Sequence, residues 1–386
     1  MDKNKNNTRL KEIKKFNNIK YREHTKAQKR KRIPESEYVT TMKDPNNILE
    51  IDNLKTYFYT DIGTVKAVDG VTFDVPIGKT VGVVGESGCG KSVTSLSIMR
   101  LLQAPQGQIS GGQIRFNQAS RNRAVDITKM PLQELEKIRG NDLAMIFQEP
   151  MTSLNPVFTI GDQIDESIQL HNPNLNKKEV KARTIEMLNL VGIANPEGIY
   201  KNYPHELSGG MRQRAMIAMA LSCDPQLIIA DEPTTALDVT IQAQILDLLV
   251  NLKDKINSSI MLITHDLGVI AETADFVVVM YAGRIVEQGT AEEIFYNPSH
   301  PYTVGLMKSR PSLNANEKRL YSIPGNVPNP INLPNFCYYK NRCEFATEKC
   351  EGKYPALFSL SDTHKVCCYH PIKGNFTLGE DDKNEE

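Results

Sequence analysis

The sequence "KTVGVVGESGCGKS" (residues 79–92) joins an apolar run to a glycine-rich loop. The run is short and rich in valine, which is typical of a strand buried on both faces. The loop matches G-x-x-x-x-G-K-[ST], and Gly85, Gly88 and Gly90 let successive backbone N–H groups turn toward the oxygens of a phosphate. These features predict a nucleotide-binding loop between a strand and a helix.

The same loop supplies the charged and hydroxyl groups that a bound nucleotide needs. We expect Lys91 to contact the β- and γ-phosphates and the Ser92 hydroxyl to bind Mg²⁺. Cys89 is expected mainly to fill space within the loop. The predicted nucleotide-contacting residues are Gly85, Glu86, Ser87, Gly88, Cys89, Gly90, Lys91, Ser92 and Val93.

A second apolar run, "LIIADEP" (residues 227–233), ends in two carboxylates. On its own, an acidic pair at a strand end is usually a solvated surface feature, but the loop at 85–92 favours a catalytic role here. Asp231 is expected to lie beside the Mg²⁺ ion. Glu232 is expected to orient or deprotonate the water that attacks the γ-phosphate.

The central part of the chain alternates short apolar runs with segments of helical length, which predicts an α/β domain. Further predicted strands are residues 143–148, 260–266 and 276–283, and predicted helices are residues 178–191, 210–222 and 239–256. Prolines become frequent after Tyr296 and predict an irregular segment. The predicted domains are therefore a nucleotide-binding domain at 47–296 and a C-terminal tail at 297–386.

The charge of the chain is balanced overall but uneven along its length. Of 386 residues, 46 are Lys or Arg and 46 are Asp or Glu, whereas residues 1–46 carry 14 basic and 6 acidic side chains. This basic arm is predicted to be a disordered extension, with contact to anionic lipid or nucleic acid as the alternative. No apolar run is long enough to cross a bilayer and no secretory signal is recognisable, so a cytoplasmic location is expected.

The motif "LSGGMRQR" (residues 207–214) and the motifs around it resemble those of ATP-binding cassette (ABC) ATPases, in the order that this family shows. The resemblance implies ATP as the nucleotide and a P-loop core with an antiparallel β subdomain and a helical subdomain. It implies that Gln148 in "IFQEP" serves catalysis and the Mg²⁺ site, and that His265 in "ITHD" contacts the γ-phosphate. The aromatic residue expected to stack on adenine is Phe58, with Tyr59 or Tyr57 as alternatives.

The resemblance also implies that one chain is half of a working unit. In the family two cassettes pack head to tail, so that the signature residues of one enclose the ATP bound by the other. The signature residues here are Ser208, Gly209 and Gly210, and the aspartate of the D-loop is Asp238. A second, homologous ABC ATPase is therefore an expected partner.

Longer stretches narrow the resemblance to the ATPases of oligopeptide, dipeptide and nickel importers. These stretches are residues 148–156, 206–221, 265–289 and 297–303. The resemblance covers about residues 47–370. It implies two transmembrane permease subunits, an extracellular peptide-binding protein that acts indirectly, and a peripheral position at the cytoplasmic face of the membrane. Whether the solute is a peptide or nickel stays open.

Two other classes of function are alternatives. A soluble ABC ATPase acting on the ribosome or on nucleic acid would use the basic arm, but such ribosomal proteins typically join two cassettes in one chain, and this sequence has one. A regulatory ATP-binding module without turnover is disfavoured because Lys91, Glu232 and His265 are all present.

Seven cysteines in a reducing compartment favour metal binding or catalysis over disulfides. Those near the C-terminus resemble the tail in which such importers carry an iron–sulfur cluster. The expected [4Fe–4S] ligands are Cys337, Cys343, Cys350 and Cys368, with Cys367 as the alternative fourth ligand. Zinc is a lesser alternative, because structural zinc sites usually space paired cysteines more closely. The tail is therefore expected to be a small, irregular, cysteine-rich domain.

Overall fold

The computed structural model describes residues 3–30, 32–149, 153–235, 238–309 and 321–372. Its strands are β1 (Val39–Thr40), β2 (Asn47–Thr60), β3 (Gly63–Pro76), β4 (Thr80–Val84), β5 (Gly107–Gln118), β6 (Arg123–Asp126), β7 (Leu143–Ile146), β8 (Leu227–Asp231), β9 (Ser259–Ile263), β10 (Phe276–Tyr281), β11 (Arg284–Thr290), β12 (Phe358–Ser359) and β13 (Lys365–Val366). Its α-helices are α1 (Lys3–Gln28), α2 (Glu35–Tyr38), α3 (Lys91–Ile98), α4 (Leu132–Glu136), α5 (Ile160–His171), α6 (Lys177–Leu190), α7 (Pro196–Ile199), α8 (Gly209–Leu221), α9 (Val239–Lys255), α10 (Leu267–Thr273), α11 (Ala291–Tyr296) and α12 (Pro301–Lys308).

An eight-stranded sheet in the order β12-β13-β11-β10-β4-β9-β8-β7 forms the centre of the molecule. The strands from β10 to β7 run parallel, and β11 pairs antiparallel with β10. Strands β4, β7, β8 and β9 are buried along their whole length, as expected for parallel strands covered on both faces. The predicted α/β class and core strands are confirmed. Because the loop at 85–92, Glu232 and His265 follow β4, β8 and β9, all three lie at one edge of the sheet.

A second sheet, antiparallel and five-stranded, has the order β1-β6-β5-β2-β3. Its side chains Leu49 and Phe116 share a buried cluster with Ile98 of α3 and with Val81 and Ile229 of the central sheet. The two sheets therefore enclose α3, the helix that follows the nucleotide loop. This arrangement is the antiparallel β subdomain that the sequence resemblance implies.

Helices α5, α6 and α8 follow β7 and precede β8 in the sequence, and they pack together in one layer. Apolar residues of all three, including Ile164, Met187 and Met216, belong to one buried cluster that continues into the central sheet. Helices α5 and α6 each begin with a capping box, in which Thr159 and Asn176 accept hydrogen bonds from the first turn. The layer corresponds to the implied helical subdomain.

The N-terminal arm differs from the predicted disordered extension. Residues Lys3–Gln28 form α1, and β1 pairs with β6 at the edge of the antiparallel sheet. The side-chain amide of Asn17 donates to the carbonyl of Thr60 at 3.0 Å, and the Tyr21 hydroxyl donates to the carbonyl of Tyr59 at 2.6 Å. The helix thus docks by polar and aromatic contacts with the end of β2, which its low apolar content did not indicate.

The tail also differs from the expected separate domain. Strand β13 pairs with β11 and β12 pairs with β13, so the tail extends the central sheet. Leu333, Cys337, Tyr338 and Tyr339 belong to the same buried cluster as the central strands and helices. A short segment with few large apolar residues completes its core by packing on a larger neighbour. The boundary at Tyr296 coincides with the end of α11 and stays a prediction.

No helix in the described ranges combines the length and apolar character needed to cross a membrane.

Candidate active site

The nucleotide loop turns where only glycine fits. Gly85 has φ +150°, and a Cβ there would lie 2.2 Å from the carbonyl oxygen of Met280. Gly90 has φ +105°, and a Cβ there would lie 2.4 Å from the carbonyl oxygen of Ala67. Both distances are far below van der Waals contact, so the loop holds its path only without side chains at these positions.

Lys91 opens α3 and points back across the loop. Its Nζ donates to the carbonyl oxygens of Gly85 at 2.7 Å and of Glu86 at 3.3 Å, and the residue is buried. The Cys89 side chain is fully buried, with its Sγ against Gly85, in agreement with a space-filling role. The ammonium group is therefore held inside the curve of the loop, where phosphate oxygens would replace backbone carbonyls as its partners.

Asp231, at the end of β8, accepts two hydroxyl hydrogen bonds from α3. The Ser92 Oγ lies 3.0 Å from Asp231 Oδ1, and the Ser95 Oγ lies 3.1 Å from Oδ2. Burial raises the pKa of Asp231, whereas the two hydroxyl bonds lower it. A hydroxyl and a carboxylate oxygen at one point are ligands that Mg²⁺ accepts, so Ser92 and Asp231 fit the ion predicted here.

Glu232 is the meeting point of three side chains. Its Oε2 accepts from Gln148 Nε2 at 3.0 Å and from Thr235 Oγ1 at 3.0 Å, and it lies 3.6 Å from His265 Nδ1. Glu232 adopts φ +47°, a left-handed conformation that non-glycine residues rarely take and that occurs most often at functional sites. The predicted catalytic residues Gln148, Glu232 and His265 therefore lie together.

The signature residues lie at the start of α8. The Ser208 Oγ accepts from the amide of Met211 at 3.3 Å, so it caps its own helix. A Cβ at Gly210 would lie 3.1 Å from Ile241, in the helix that Asp238 caps. In the described part of the chain, the hydrogen bonds of Ser208 stay within α8 and do not reach the loop at 85–92.

The three candidate aromatic residues of β2 differ in their hydrogen bonds to the rest of the protein. The Tyr57 hydroxyl donates to Asp69 at 2.6 Å, and the Tyr59 hydroxyl lies 3.1 Å from that of Ser110. Phe58 is half-buried. Phe58 thus stays the predicted adenine contact.

Several polar residues at the site were missed by the sequence analysis. Ser95 binds Asp231, Thr235 binds Glu232, and Gln213 of α8 donates to the carbonyl of Pro233 at 2.5 Å. Ser95 and Thr235 each lie three residues beyond a predicted site residue, and this spacing could have identified Ser95, which shares a helix face with Ser92. The Gln213 contact joins two segments that are distant in sequence, and no sequence pattern near either residue indicates it.

The tail cysteines are neighbours in the fold. The amide of Cys337 donates to the carbonyl of Cys350 at 3.1 Å. Burial, with smaller contributions from the nearby Cys337, Cys343 and Cys350, raises the pKa of Cys368 to about 12. Cys367 instead donates its amide to Val286 of β11 at 2.8 Å.

These cysteines do not form a metal site as they are placed. Among the residues that the structure describes, no group of three or more His, Cys, Asp or Glu side chains is arranged to hold a metal ion. The expected iron–sulfur or zinc site is therefore not supported by the side-chain arrangement.

Two family models match the chain. One, described as "ABC transporter", matches residues 68–235, and the other, "Oligopeptide/dipeptide transporter, C-terminal region", matches residues 286–350. The oligopeptide transport ATP-binding protein AppD of Bacillus subtilis (strain 168) is 51% identical over 324 residues, which is 84% of this chain and 97% of that protein. The dipeptide transport ATP-binding protein DppD of Escherichia coli (strain K12) is 46% identical over 325 residues, with the same coverage.

Solved structures agree with this fold. The dimeric ATP-binding cassette MJ0796, in a post-hydrolysis state with ADP and phosphate, aligns with a TM-score of 0.56 and 24% identity over 63% of this chain and 98% of that chain. CbiO1 from Clostridium perfringens, part of the ABC transporter complex cbiONQ, aligns with a TM-score of 0.54 and 27% identity over 65% of this chain and 91% of that chain.

Proposed function

Because this chain belongs to the family of ATP-binding proteins of ABC oligopeptide and dipeptide transporters, we propose that it is the ATP-hydrolysing subunit of a membrane importer for such peptides. The relatives match along nearly their whole length, including the C-terminal region. A match over this length supports a transporter of peptides rather than an ABC transporter of some other solute. It also favours an importer over the alternative of a soluble ATPase acting on ribosomes or nucleic acid.

The arrangement around Glu232 carries the proposal that the chain hydrolyses ATP. Gln148 and Thr235 donate to the same carboxylate oxygen, so they fix its direction. The other oxygen, Oε1, is left to accept a proton from a water molecule beside the γ-phosphate. His265 lies beside Oε2, and its side chain is largely exposed, which lets it contact the γ-phosphate.

The loop and α3 bind and orient the rest of the nucleotide. Backbone amides of residues 85–92 and the positive end of α3 face the phosphates, and Lys91 exchanges its carbonyl partners for phosphate oxygens. Ser92 and Asp231 would hold Mg²⁺, which would neutralise negative charge on the phosphates and on the leaving ADP. Ser95 holds the second oxygen of Asp231, which keeps the carboxylate turned toward Ser92.

The signature residues support a two-cassette unit. Ser208, Gly209 and Gly210 stand at the start of α8, and their described contacts run within α8 and toward α9. Such a helix start offers free amides to an anion. We propose that it binds the γ-phosphate of ATP held by a second, homologous ABC ATPase, and that Asp238 lies at the interface between the two.

The remaining partners follow from the importer proposal. The complex would contain two transmembrane permease subunits, and an extracellular peptide-binding protein would deliver the solute to them. The chain would lie at the cytoplasmic face of the membrane as a peripheral subunit. We propose residues 47–296 as the cassette and 297–386 as the tail packed on it.

Reconstitution tests this function directly. The chain is co-purified with its two permeases and its partner ATPase. Peptide uptake into proteoliposomes is measured with internal ATP and with the peptide-binding protein outside. We expect uptake that requires ATP and stops in the Glu232→Gln complex. Recovery of the chain from native membranes with ribosomes and without permeases would instead support the soluble alternative.

We also propose that Cys337, Cys343, Cys350 and Cys368 bind a [4Fe–4S] cluster, with zinc as the lesser alternative. Support comes from the sequence resemblance and from electrostatics: Cys337, Cys343 and Cys350 all raise the pKa of Cys368, whereas Cys337 alone of these three raises that of Cys367. Because the side chains as placed form no ligand group, binding has to draw the sulfurs together, and we assign the cluster no step in hydrolysis.

Iron and sulfide content of anaerobically purified protein tests this second proposal. We expect iron to be lost in Cys368→Ser and kept in Cys367→Ser. The reverse result would move the fourth ligand to Cys367. Stoichiometric zinc in the anaerobic wild type would reject the cluster.

A further inference from the structure

The C-terminal tail reaches the nucleotide loop through one arginine. The Nη1 of Arg342 lies 2.6 Å from Glu86 Oε2, and its Nη2 lies 2.9 Å from Glu86 Oε1. Glu86 is the second residue of the loop at 85–92. The pair is bidentate, the geometry in which an arginine and a carboxylate fix each other's direction most strongly.

The tail holds this guanidinium in place from the other side. Arg342 Nε donates to the carbonyl of Pro324 at 2.9 Å, and Nη2 also donates to the carbonyl of Ile323 at 3.2 Å. The arginine side chain is only 4% exposed, whereas that of Glu86 is 27% exposed. Arg342 is thus a rigid, desolvated donor, unlike the mobile partner of an ordinary surface ion pair.

A second contact joins the same loop residue to the start of the tail. The amide of Glu86 donates to the hydroxyl oxygen of Tyr302 at 2.8 Å, and Tyr302 is fully buried in α12. Its ring packs against Tyr281 and Tyr339. The tail therefore fixes both the backbone amide and the side chain of Glu86.

The charge of Glu86 is the reason that this contact matters for binding. A nucleoside triphosphate carries several negative charges, and a carboxylate in its own binding loop repels them unless a cation neutralises it. Arg342 supplies that cation and also fixes the carboxylate in direction. Lys91 contacts the carbonyl of Glu86, so displacement of this residue would also move a partner of the phosphate-binding ammonium group.

We propose that Arg342 is a positioning residue for ATP: by pairing with Glu86 it neutralises and orients the nucleotide loop, so that the tail completes the phosphate-binding site. The inference rests on ATP binding at residues 85–92 and is independent of which solute the transporter carries. It assigns the tail a function in nucleotide affinity.

A double-mutant cycle on the purified full chain tests this proposal. Affinity for MgATP is measured by titration for wild type, Arg342→Gln, Glu86→Gln and the double variant. We expect Arg342→Gln to raise Kd about tenfold, because the carboxylate is left unneutralised beside the phosphates. In the double variant the repulsive charge is absent, and Kd is expected to return to within about threefold of wild type.

Lys340→Gln is the matched control. Lys340 lies in the same short 3₁₀ turn and pairs with Glu351 of the tail at 3.5 Å, without contact to the loop. Its loss is expected to leave Kd unchanged. In the assembled complex, Arg342→Gln should raise KM for ATP about tenfold with kcat within about twofold of wild type.

Two results would overturn the proposal. Wild-type affinity in Arg342→Gln would show that the pair does not influence the loop. A double variant as weak as Arg342→Gln would show that the arginine acts only as a structural support, since loss of fold is not rescued by removing a charge. Failure of the wild-type chain to bind MgATP would instead contradict the proposed ATPase function, so the two failures are distinguishable.

Discussion

The nucleotide loop and the tail meet at Glu86, which contacts Arg342 and Tyr302, yet they are held in place by different kinds of interaction. The loop is fixed by its neighbours in regular structure: β4 before it, α3 after it, and backbone contacts that only glycine permits. The described tail is mostly irregular apart from β12 and β13, which extend the central sheet. Otherwise it is held largely by side chains: the Arg342–Glu86 pair, the stacking of Arg284 on Tyr338 and Tyr354, and a set of packed tyrosines.

Arg284 shows how the second kind of contact works. It lies in β11, pairs with the buried Asp69, and stacks on Tyr354 and Tyr338 of the tail with its guanidinium carbon 4.1 and 5.2 Å from the ring centroids. Such contacts join distant parts of the chain and depend on charge and burial. We therefore expect changes in the loop to act on catalysis and binding. Changes in the tail should act on stability and its pH dependence, except at Arg342, which contacts the loop itself.

Glu232→Gln is expected to have the largest effect, and it tests whether changes beside the nucleotide loop act on catalysis. The amide keeps the hydrogen-bond geometry but cannot accept the proton of the attacking water, so kcat should fall about 1000-fold. ATP affinity should stay within about threefold of wild type. ATP turnover of the assembled complex and nucleotide titration measure the two quantities. Glu134→Gln, at a partly buried carboxylate that pairs with Lys137 and Arg121, is the control. A kcat within a few-fold of wild type in Glu232→Gln would refute the role.

Gly90→Ala tests whether the loop depends on backbone fit. The added Cβ would lie 2.4 Å from the carbonyl oxygen of Ala67, so the loop must shift, and we expect ATP affinity to fall about 100-fold. Gly78→Ala is the matched control, because Gly78 also has a positive φ, +71°, but has no atom within 4 Å of an added Cβ. It should lose about 1 kcal/mol of stability and keep its affinity. Equal losses of affinity in both variants would contradict the backbone argument.

His300→Asn tests whether the tail contributes to the loss of folding stability at acid pH. Burial lowers the pKa of His300 to about 3, so the folded protein holds the ring neutral. The unfolded chain takes up a proton near pH 6.5, and stability is therefore complete above this pH and is lost toward pH 3 at about 1.4 kcal/mol per pH unit. At pH 5 the loss from this group is about 2 kcal/mol.

Denaturant unfolding at pH 7.5, 6 and 5 measures this slope. The asparagine can cap α12 in place of the imidazole, which accepts from the amide of Tyr302 at 3.0 Å. The variant should therefore lose less stability than wild type between pH 7.5 and 5. His205→Asn, on the exposed surface, should keep the wild-type slope. An unchanged slope in His300→Asn would count against the assignment.

Ser95→Ala is expected to have the smallest effect. It removes one of the two hydroxyl bonds to Asp231 and should raise the Mg²⁺ concentration needed for half-maximal turnover about fivefold. Ser97→Ala, a control on the same helix, removes bonds to Val93 and Thr56 without touching Asp231. If both variants require the same Mg²⁺ concentration as wild type, the second hydroxyl has no part in orienting the carboxylate.

The cassette could be predicted from sequence because its determinants are local. Buried strands appear as short apolar runs, the loop has a fixed spacing, and Asp231 and Glu232 directly end a strand. The role of His265 came from the family resemblance, and its position beside Glu232 agrees with parallel strands that bring their carboxyl ends to one edge.

The tail and the arm could not be predicted in the same way. Arg342 and Glu86 are separated by 256 residues, and nothing near either residue indicates its partner. The docking of α1 rests on individual polar side chains such as Asn17 and Tyr21 in a helix with little apolar character. Composition alone therefore predicted disorder, because the contacts that order this segment lie in β2.

The two-residue strand β13 has a consequence for synthesis of the chain. It covers the outer edge of β11, where Val366 stands opposite Glu287 and Lys365 opposite Gln288. From Thr290, the end of β11, to Lys365 the ribosome must add 75 residues, which takes roughly 4 to 15 s at 5–20 residues per second. During that interval the hydrogen-bonding groups of β11 are open to other nascent chains, so this edge is where we expect chaperones to bind first.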